Sequence, residues 1–326
     1  MEFGIWYSNV TDIREAALAA YIEQLYGKCE LQALNGDASL RRYFRFPFGI
    51  AVDAPPASQK NHEFIAIDNA LLKVGLCVPR IYHSDLQQGF MVLEDLGNKT
   101  FQDALNPVSM EDLYLKACDL LMPLSAVKVE LLNFDRNFID MELGIFKEWM
   151  LDKTLHLSLN DDEHNNLNKC FDYIKDRLQK SEHIPMHRDF HCRNLMIYKD
   201  NLYIIDFQDM VKGPIGYDLA SLVYDCYLNL QEDLIAKIIN RAYLGYRQLG
   251  FLQKLSEAEF KQQLSIISLE RHLKVLGIFR RLYMRDGKSA YLQYLPRVLA
   301  YAQKESLCDP NLAYLSQFLG KYFKDI

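Results

Sequence analysis

The residues best suited to chemistry form one short run, His187-Arg188-Asp189-Phe190-His191-Cys192-Arg193-Asn194, followed by Asp206 after Leu202-Tyr203-Ile204-Ile205. A carboxylate such as Asp189 can accept or orient the proton of a hydroxyl. Asn194 and Asp206 are oxygen donors of the kind magnesium takes, and because magnesium keeps part of its water shell two protein ligands are sufficient. The set suits phosphoryl transfer, in which positioning and charge neutralisation do most of the work. Read singly, each residue has an ordinary use: an Asp in a turn caps a helix, and a buried His is a satisfied core group. Their order favours the chemical reading, because Leu195-Met196-Ile197-Tyr198, the turn at Lys199-Asp200-Asn201 and the run 202–205 form a hairpin that can bring Asp206 back beside Asn194.

These residues need a scaffold, and the rest of the chain supplies two kinds. Apolar residues recur at helical spacing over 13–26, and Gly27 closes that helix as a C-cap glycine would. Tyr43-Phe44-Arg45-Phe46 and Gly49-Ile50-Ala51-Val52 read as a hairpin, preceded by the polar turn Asn35-Gly36-Asp37-Ala38-Ser39 and stopped by Pro55-Pro56. A helix over about 60–74 ends at Gly75, and the strand-like Phe90-Met91-Val92-Leu93 leads into Glu94-Asp95-Leu96-Gly97. Beyond Thr100 helical patterns dominate, interrupted around 185–218 by short apolar runs and tight turns. The pattern predicts an α+β architecture of two lobes: a small sheet-rich N-lobe over residues 1–96 and a large helical C-lobe over 97–326 that contains the run 187–194. A cleft between lobes is where ligands are expected.

The run 187–194 fits the kinase catalytic-loop pattern H-R-D-x-x-x-x-N at every fixed position. With Ile205-Asp206-Phe207 and Gly216-Tyr217-Asp218-Leu219-Ala220, the chain resembles the aminoglycoside phosphotransferase and choline kinase superfamily, which has the protein-kinase fold. Within it, Gly36-Asp37-Ala38-Ser39 with Arg41-Arg42-Tyr43-Phe44-Arg45, Asp53-Ala54-Pro55-Pro56, Leu93-Glu94-Asp95-Leu96-Gly97, the segment 270–279 and Arg285-Asp286-Gly287-Lys288 resemble the bacterial anomeric kinases of N-acetylmuramate and N-acetylglucosamine used in cell-wall recycling. The resemblance implies ATP as donor and Mg2+ as its ion, Asp189 as the base, Asn194 and Asp206 as magnesium ligands, and adenine held by backbone near Glu94 and Leu96. It also implies that Asp218 buttresses the catalytic loop, although an acid before Leu219-Ala220 fits an ordinary helix N-terminus equally well.

The sequence departs from the kinase pattern in two places. There is no glycine-rich phosphate loop, and Gly49-Ile50-Ala51-Val52 ends in Asp53 where a kinase usually carries its phosphate-contacting lysine. Arg41, Arg42 and Arg45 are the candidates to supply that charge, with Glu63 able to anchor one of them through a bidentate pair; a solvated surface pair is the alternative for any single arginine. After Asp206-Phe207-Gln208 the chain reaches Pro214 and Asp218 without an A-P-E element or a long activation loop. A polypeptide has little to dock on, so a small molecule is the expected acceptor.

Composition narrows the partners. A formal net charge of -6 over 326 residues argues against nucleic acid. The seven cysteines lie far apart without a zinc-type pair, which points to a reduced, cytoplasmic setting, and neither an export signal nor a membrane-spanning apolar run is present. The segment 261–297 carries Arg271, Lys274, Arg280, Arg281, Arg285, Lys288 and Arg297. A pocket for a polycation would be lined by acids, so these residues favour a neutral or anionic acceptor unless they form a solvated helix face. The resemblance narrows that acceptor to a sugar with an acetamido group, with or without a lactyl carboxylate. Two alternatives stand beside it: an aminoglycoside or other small-alcohol phosphotransferase, and a nucleotide-binding pseudokinase, suggested by the missing lysine.

Overall fold

The structure, a computed structural model, describes residues 3–34 and 41–324; the expected turn Asn35-Gly36-Asp37-Ala38-Ser39 lies outside the described residues. The chain divides into two compact units, Met1–Lys99 with Met196–Gln208, and Thr100–Leu195 with Asp209–Ile326.

The first unit opens with α1 (Phe3–Tyr26), β1 (Gln32–Ala33), β2 (Arg42–Phe46) and β3 (Gly49–Asp53), followed by α2 (Asn61–Lys73), β4 (Ile81–Asp85) and β5 (Phe90–Leu93). These five strands form an antiparallel sheet in the order β1-β2-β3-β5-β4. Alternation along β2 places Phe44 and Phe46 in one apolar cluster with Leu18 and Ile22 of α1, Ala51 of β3, and Phe90 and Val92 of β5. Gly27 and Gly75 sit just past α1 and α2 at φ 81° and 82°, the left-handed conformation that stops a helix most cheaply at glycine. The sequence pattern does not reveal β1 and β4. The first is a two-residue edge strand with both residues exposed, and Ile81-Tyr82-His83-Ser84-Asp85 is a largely polar edge strand.

The second unit contains α3 (Phe101–Ala104), α4 (Met110–Ser125), α5 (Arg136–Phe146) with a π-helical continuation over Lys147–Asp152, α6 (Asp161–Lys180) and β6 (His183–Met186). The chain then returns to the first unit as β7 (Leu195–Tyr198) and β8 (Asn201–Ile204). Lys199 and Asp200 at φ 49° and 60° make the tight turn whose twist matches a two-stranded hairpin. Ile197 donates its amide to the Lys99 carbonyl, and Ile204 to that of Cys77. Back in the second unit, β9 (Val211–Pro214) pairs antiparallel with β6, and α7 (Tyr217–Val223), α8 (Glu232–Gln248), α9 (Glu257–Asp286), α10 (Leu295–Ser306) and α11 (Ala313–Tyr322) complete the fold.

Helix α9 organises this unit. Ser256 and Glu259 form its capping box, and Gly287 at φ 68° ends it. Its 30 residues are buried far beyond one stripe, as befits a helix packed against several neighbours. Gly277 is the point of closest approach to α5, since a Cβ there would fall 2.5 Å from the Ile145 carbonyl oxygen. His272 ties α9 to α10 by facing two acceptors, Glu305 Oε2 at 2.8 Å from Nδ1 and the Tyr224 carbonyl at 3.0 Å from Nε2. Burial opposes an imidazolium, but Glu305 outweighs it and the pKa rises to about 9. All seven cysteines are free, and no helix among the described residues is long and apolar enough to cross a membrane.

Candidate active site

In the second unit, β6 delivers the chain directly into the run 187–194. Arg188 adopts φ 76°, a conformation costing a residue with a side chain about 1–2 kcal/mol, so the surroundings must enforce it. They do so through buried acids. Asp218 accepts the His187 amide at Oδ2 (2.7 Å) and the Arg188 amide at Oδ1 (2.9 Å), which makes it the buttress of the loop in addition to its place in the first turn of α7. Asp225 accepts the Cys192 amide at Oδ2 (2.9 Å) and the Tyr227 amide at Oδ1 (2.7 Å). Inside the loop, Asn194 Nδ2 donates to the Asp189 carbonyl at 3.0 Å, which leaves the Asn194 side-chain oxygen as its free donor atom for a cation. Burial pushes the Asp218 carboxyl up to about 6 against the opposing pull of His187 and the two amides.

The charge around Asp189 comes mainly from helices. Burial would raise its pKa, but Lys274, His191, Arg188 and Arg271 together hold the carboxyl well below the usual range. Each cation is itself fixed. Arg188 pairs with Glu142 of α5 and donates to the Asp209 carbonyl, and its guanidinium lies 4.8 Å from the centre of the Phe138 ring. Lys274 of α9 reaches Tyr217 Oη at 3.0 Å and Glu142 Oε1 at 3.4 Å. Arg271 is buried against Cys226 Sγ. Glu270, enclosed beside Glu142, is driven well above the ordinary carboxylate range first by burial and then by its neighbour's charge. Burial therefore disfavours charge on Glu270, while Arg188 and Lys274 stand beside Glu142 and bring positive charge to Asp189.

The sequence singled out Arg271 and Lys274 as basic but not as the source of this field, and it missed Glu142 and Asp225. Both acids had a legible sign. Glu142 falls on the stripe of Ile139, Leu143 and Phe146 in α5, and Asp225 interrupts the apolar run 219–228; an acid in such a place is buried and needs partners. The remaining basic residues of the segment disperse. Arg280 donates to Thr154, Arg285 pairs with its neighbour Asp286, and Lys261 forms an exposed pair with Glu257.

In the first unit, Asp206 follows β8 at φ 64°, a second strained non-glycine position, and accepts Gln208 Nε2 at Oδ1 (2.6 Å). Phe207 stacks on Phe64 of α2, with ring centres 4.9 Å apart. The guanidinium of Arg41 lies over the Phe64 ring, 4.4 Å from its centre, with Nη1 3.5 Å from Gln208 Oε1 and Nη2 3.5 Å from Asn61 Oδ1. Arg41, Gln208 and Asp206 thus form a connected polar series. Asn194 in the second unit and Asp206 in the first each offer a side-chain oxygen, the donor type that magnesium takes.

Arg42 and Arg45 are engaged elsewhere. Arg42 donates to Asp53 Oδ2 at 2.7 Å and pairs with Glu15, while Arg45 pairs with Asp95 at 2.7 Å and donates to Asn98. The bidentate anchor expected from Glu63 is supplied by these acids instead; Glu63 is exposed in the first turn of α2. Asp53, standing where a kinase lysine is usual, is almost fully buried and held by Arg42 and by Arg14 of α1, whose Nε lies 2.8 Å from Oδ1. The position joins α1 to the sheet. At the end of β5, the Glu94 amide is taken by the Arg80 carbonyl at 2.8 Å, and Leu96 is buried.

Comparisons with known proteins give the family and the fold. A protein called N-acetylmuramate/N-acetylglucosamine kinase from Pseudomonas aeruginosa is 33% identical over 297 residues, covering 89% of this chain and 88% of its own length. One of the same name from Neisseria meningitidis serogroup B is 32% identical over 325 residues, 96% of this chain and 97% of that protein. An ADP-bound aminoglycoside phosphotransferase, APH(2'')-Ib, shares the fold with a TM-score of 0.60 at 14% identity, over 89% of this chain and 98% of that one. Residues 30–252 match the phosphotransferase enzyme family, and the chain belongs to it.

Proposed function

We propose that the protein transfers the γ-phosphoryl group of ATP to the anomeric hydroxyl of an N-acetylated amino sugar, N-acetylmuramate or N-acetylglucosamine. Two relatives of that name aligned over most of the chain support the acceptor, and the Asp189 environment supports the chemistry. An Asp held this firmly ionised is a weak base. It is well matched to a proton that leaves late, after the sugar oxygen has begun to bond to phosphorus and become acidic. The anomeric oxygen forms its bond to the γ-phosphorus as the bond from that phosphorus to the β–γ bridging oxygen breaks. The proton passes to Asp189 and then to water, and ADP leaves with the bridging electrons.

Asn194 and Asp206 would hold Mg2+, which neutralises and orients the phosphates. For phosphate contact we favour Arg41, because Gln208 connects it to Asp206, whereas Arg42 and Arg45 tie the sheet to α1 and to the segment after β5. With the Glu94 amide already engaged, adenine recognition falls to the Glu94 carbonyl and the Leu96 amide. Nucleotide binding is assigned to the first unit and acceptor binding to the second. A cytoplasmic setting suits ATP supply and keeps the free thiols reduced.

The test is a panel of acceptors with purified protein, ATP and magnesium, read by ADP release and by phosphorus NMR of the product. Turnover of at least one of the two sugars with phosphate on the anomeric carbon is expected. Phosphorylation of kanamycin-type aminoglycosides with neither sugar turned over would overturn the acceptor. Nucleotide binding without any transfer would identify a pseudokinase.

A further inference from the structure

The catalytic loop carries one cation that the chemistry above does not use. Arg193 stands immediately before Asn194, with its guanidinium 3.7 Å from the centre of the Tyr227 ring and Nη2 donating to Tyr294 Oη at 2.8 Å. A guanidinium has five N–H donors in a planar fork, and this single bond is the one hydrogen bond Arg193 makes among the described residues. Its other N–H groups are not enclosed. Arg193 has no carboxylate partner among the described residues, although it is half-buried, where a charge is ordinarily paired. The acid closest in sequence to Tyr227 is Asp225, whose oxygens accept the Cys192 and Tyr227 amides and make no ion pair with Arg193.

The surroundings fit a sugar acid. Tyr227 also packs edge to face with His191, with ring centres 5.2 Å apart, and His191 stands two residues after Asp189 in the loop. One ring therefore links the neighbourhood of the base to Arg193. Tyr227 and Tyr294 pack edge to face at 5.0 Å, giving a surface that is apolar on its faces and polar at its hydroxyl tips, as pyranose rings require. Three other arginines considered for this task are taken: Arg271 is buried against Cys226, Arg280 donates to Thr154, and Arg285 pairs with Asp286; Arg281 lies on α9 outside the catalytic loop, with its Nε enclosed.

We infer that Arg193, steadied by Tyr227 and Tyr294, is the specificity residue that binds a carboxylate on the acceptor through its open fork and so favours an acidic amino sugar over its neutral counterpart. This rests on the sugar-kinase reading above. The bond would be a charge-assisted, bidentate one, which places the discrimination in the acceptor's affinity and position and not in the proton transfer at Asp189.

The experiment compares kcat/KM for N-acetylmuramate and N-acetylglucosamine in wild type, Arg193→Met, Arg193→Lys and Tyr294→Phe. The ratio of the two values should fall on the order of 10- to 100-fold in Arg193→Met, the range expected for losing a hydrogen-bonded ion pair. Arg193→Lys should recover only part, because an ammonium lacks the fork, and Tyr294→Phe should lower the ratio by less than Arg193→Met. If Arg193→Met fails to fold, the same ratio in the other two variants decides the matter. An unchanged ratio, even with both rates lowered, overturns the assignment and leaves Arg193 as a positioning residue for Asn194. So does a wild type that turns over N-acetylglucosamine but not N-acetylmuramate. Wild type inactive on both sugars instead sinks the proposed function itself.

Discussion

The catalytic loop and strand β2 both hold charged groups in place, but by opposite means. Around the loop, Asp218 and Asp225 are buried and each accepts two backbone amides, while Glu142 anchors Arg188 and Lys274 from within the helical core. On β2, Arg45 pairs with Asp95 through side chains that each keep a quarter or more of their surface open, 25% and 29%. Losing one buried acceptor strands amides at about 1–3 kcal/mol each, whereas an exposed ion pair contributes about 0–1 kcal/mol. The lesson is that geometry which must not drift is enforced by buried bonds to backbone, and that a row of arginines near a site is not by itself evidence of a role in it.

This contrast can be broken or sharpened by substitution. The largest effect should come from Asp189→Asn, which keeps the shape of the loop and removes the base. Transfer should fall by roughly 10²- to 10⁴-fold while ATP affinity, measured by titration calorimetry, stays within about threefold. An equal loss of affinity would mean that Asp189 holds nucleotide. Next in size, Asp218→Ala leaves the His187 and Arg188 amides without their acceptor, and should cost about 2–4 kcal/mol in urea unfolding as well as activity. A cost below about 1 kcal/mol would show that the loop is held by something else.

The smallest effects should separate the arginines. Arg41→Met should weaken ATP affinity or turnover on the order of 10- to 100-fold, as expected for a hydrogen-bonded charge at the phosphates. Arg45→Met, which removes a partly exposed pair with Asp95, should change stability by less than about 1 kcal/mol and ATP affinity little. Equal losses in the two variants would erase the distinction drawn between Arg41 and Arg45.

Much of the site was legible in the chain itself, because its parts are local. The fixed spacing of His187, Arg188, Asp189 and Asn194, the hairpin and Asp206 lie within one segment, and a tight turn can only return the chain along itself. Strand alternation likewise set Arg41 and Arg45 on the face opposite Arg42, Phe44 and Phe46. Helices α1 and α2 ended at the glycines that the pattern marked, since only a left-handed residue closes them cheaply.

What tertiary structure alone decided is which charges meet. Glu142, Arg271 and Lys274 belong to helices far from Asp189 in sequence, and nothing in their spacing announces that they share one buried cluster. The same holds for Asp53, whose role depends on Arg14 arriving from another helix. Local order follows from backbone geometry over a few residues, so residue types suffice to predict it. The field at a carboxylate depends on distance and burial across the fold, and these exist only once α5, α7 and α9 have packed together.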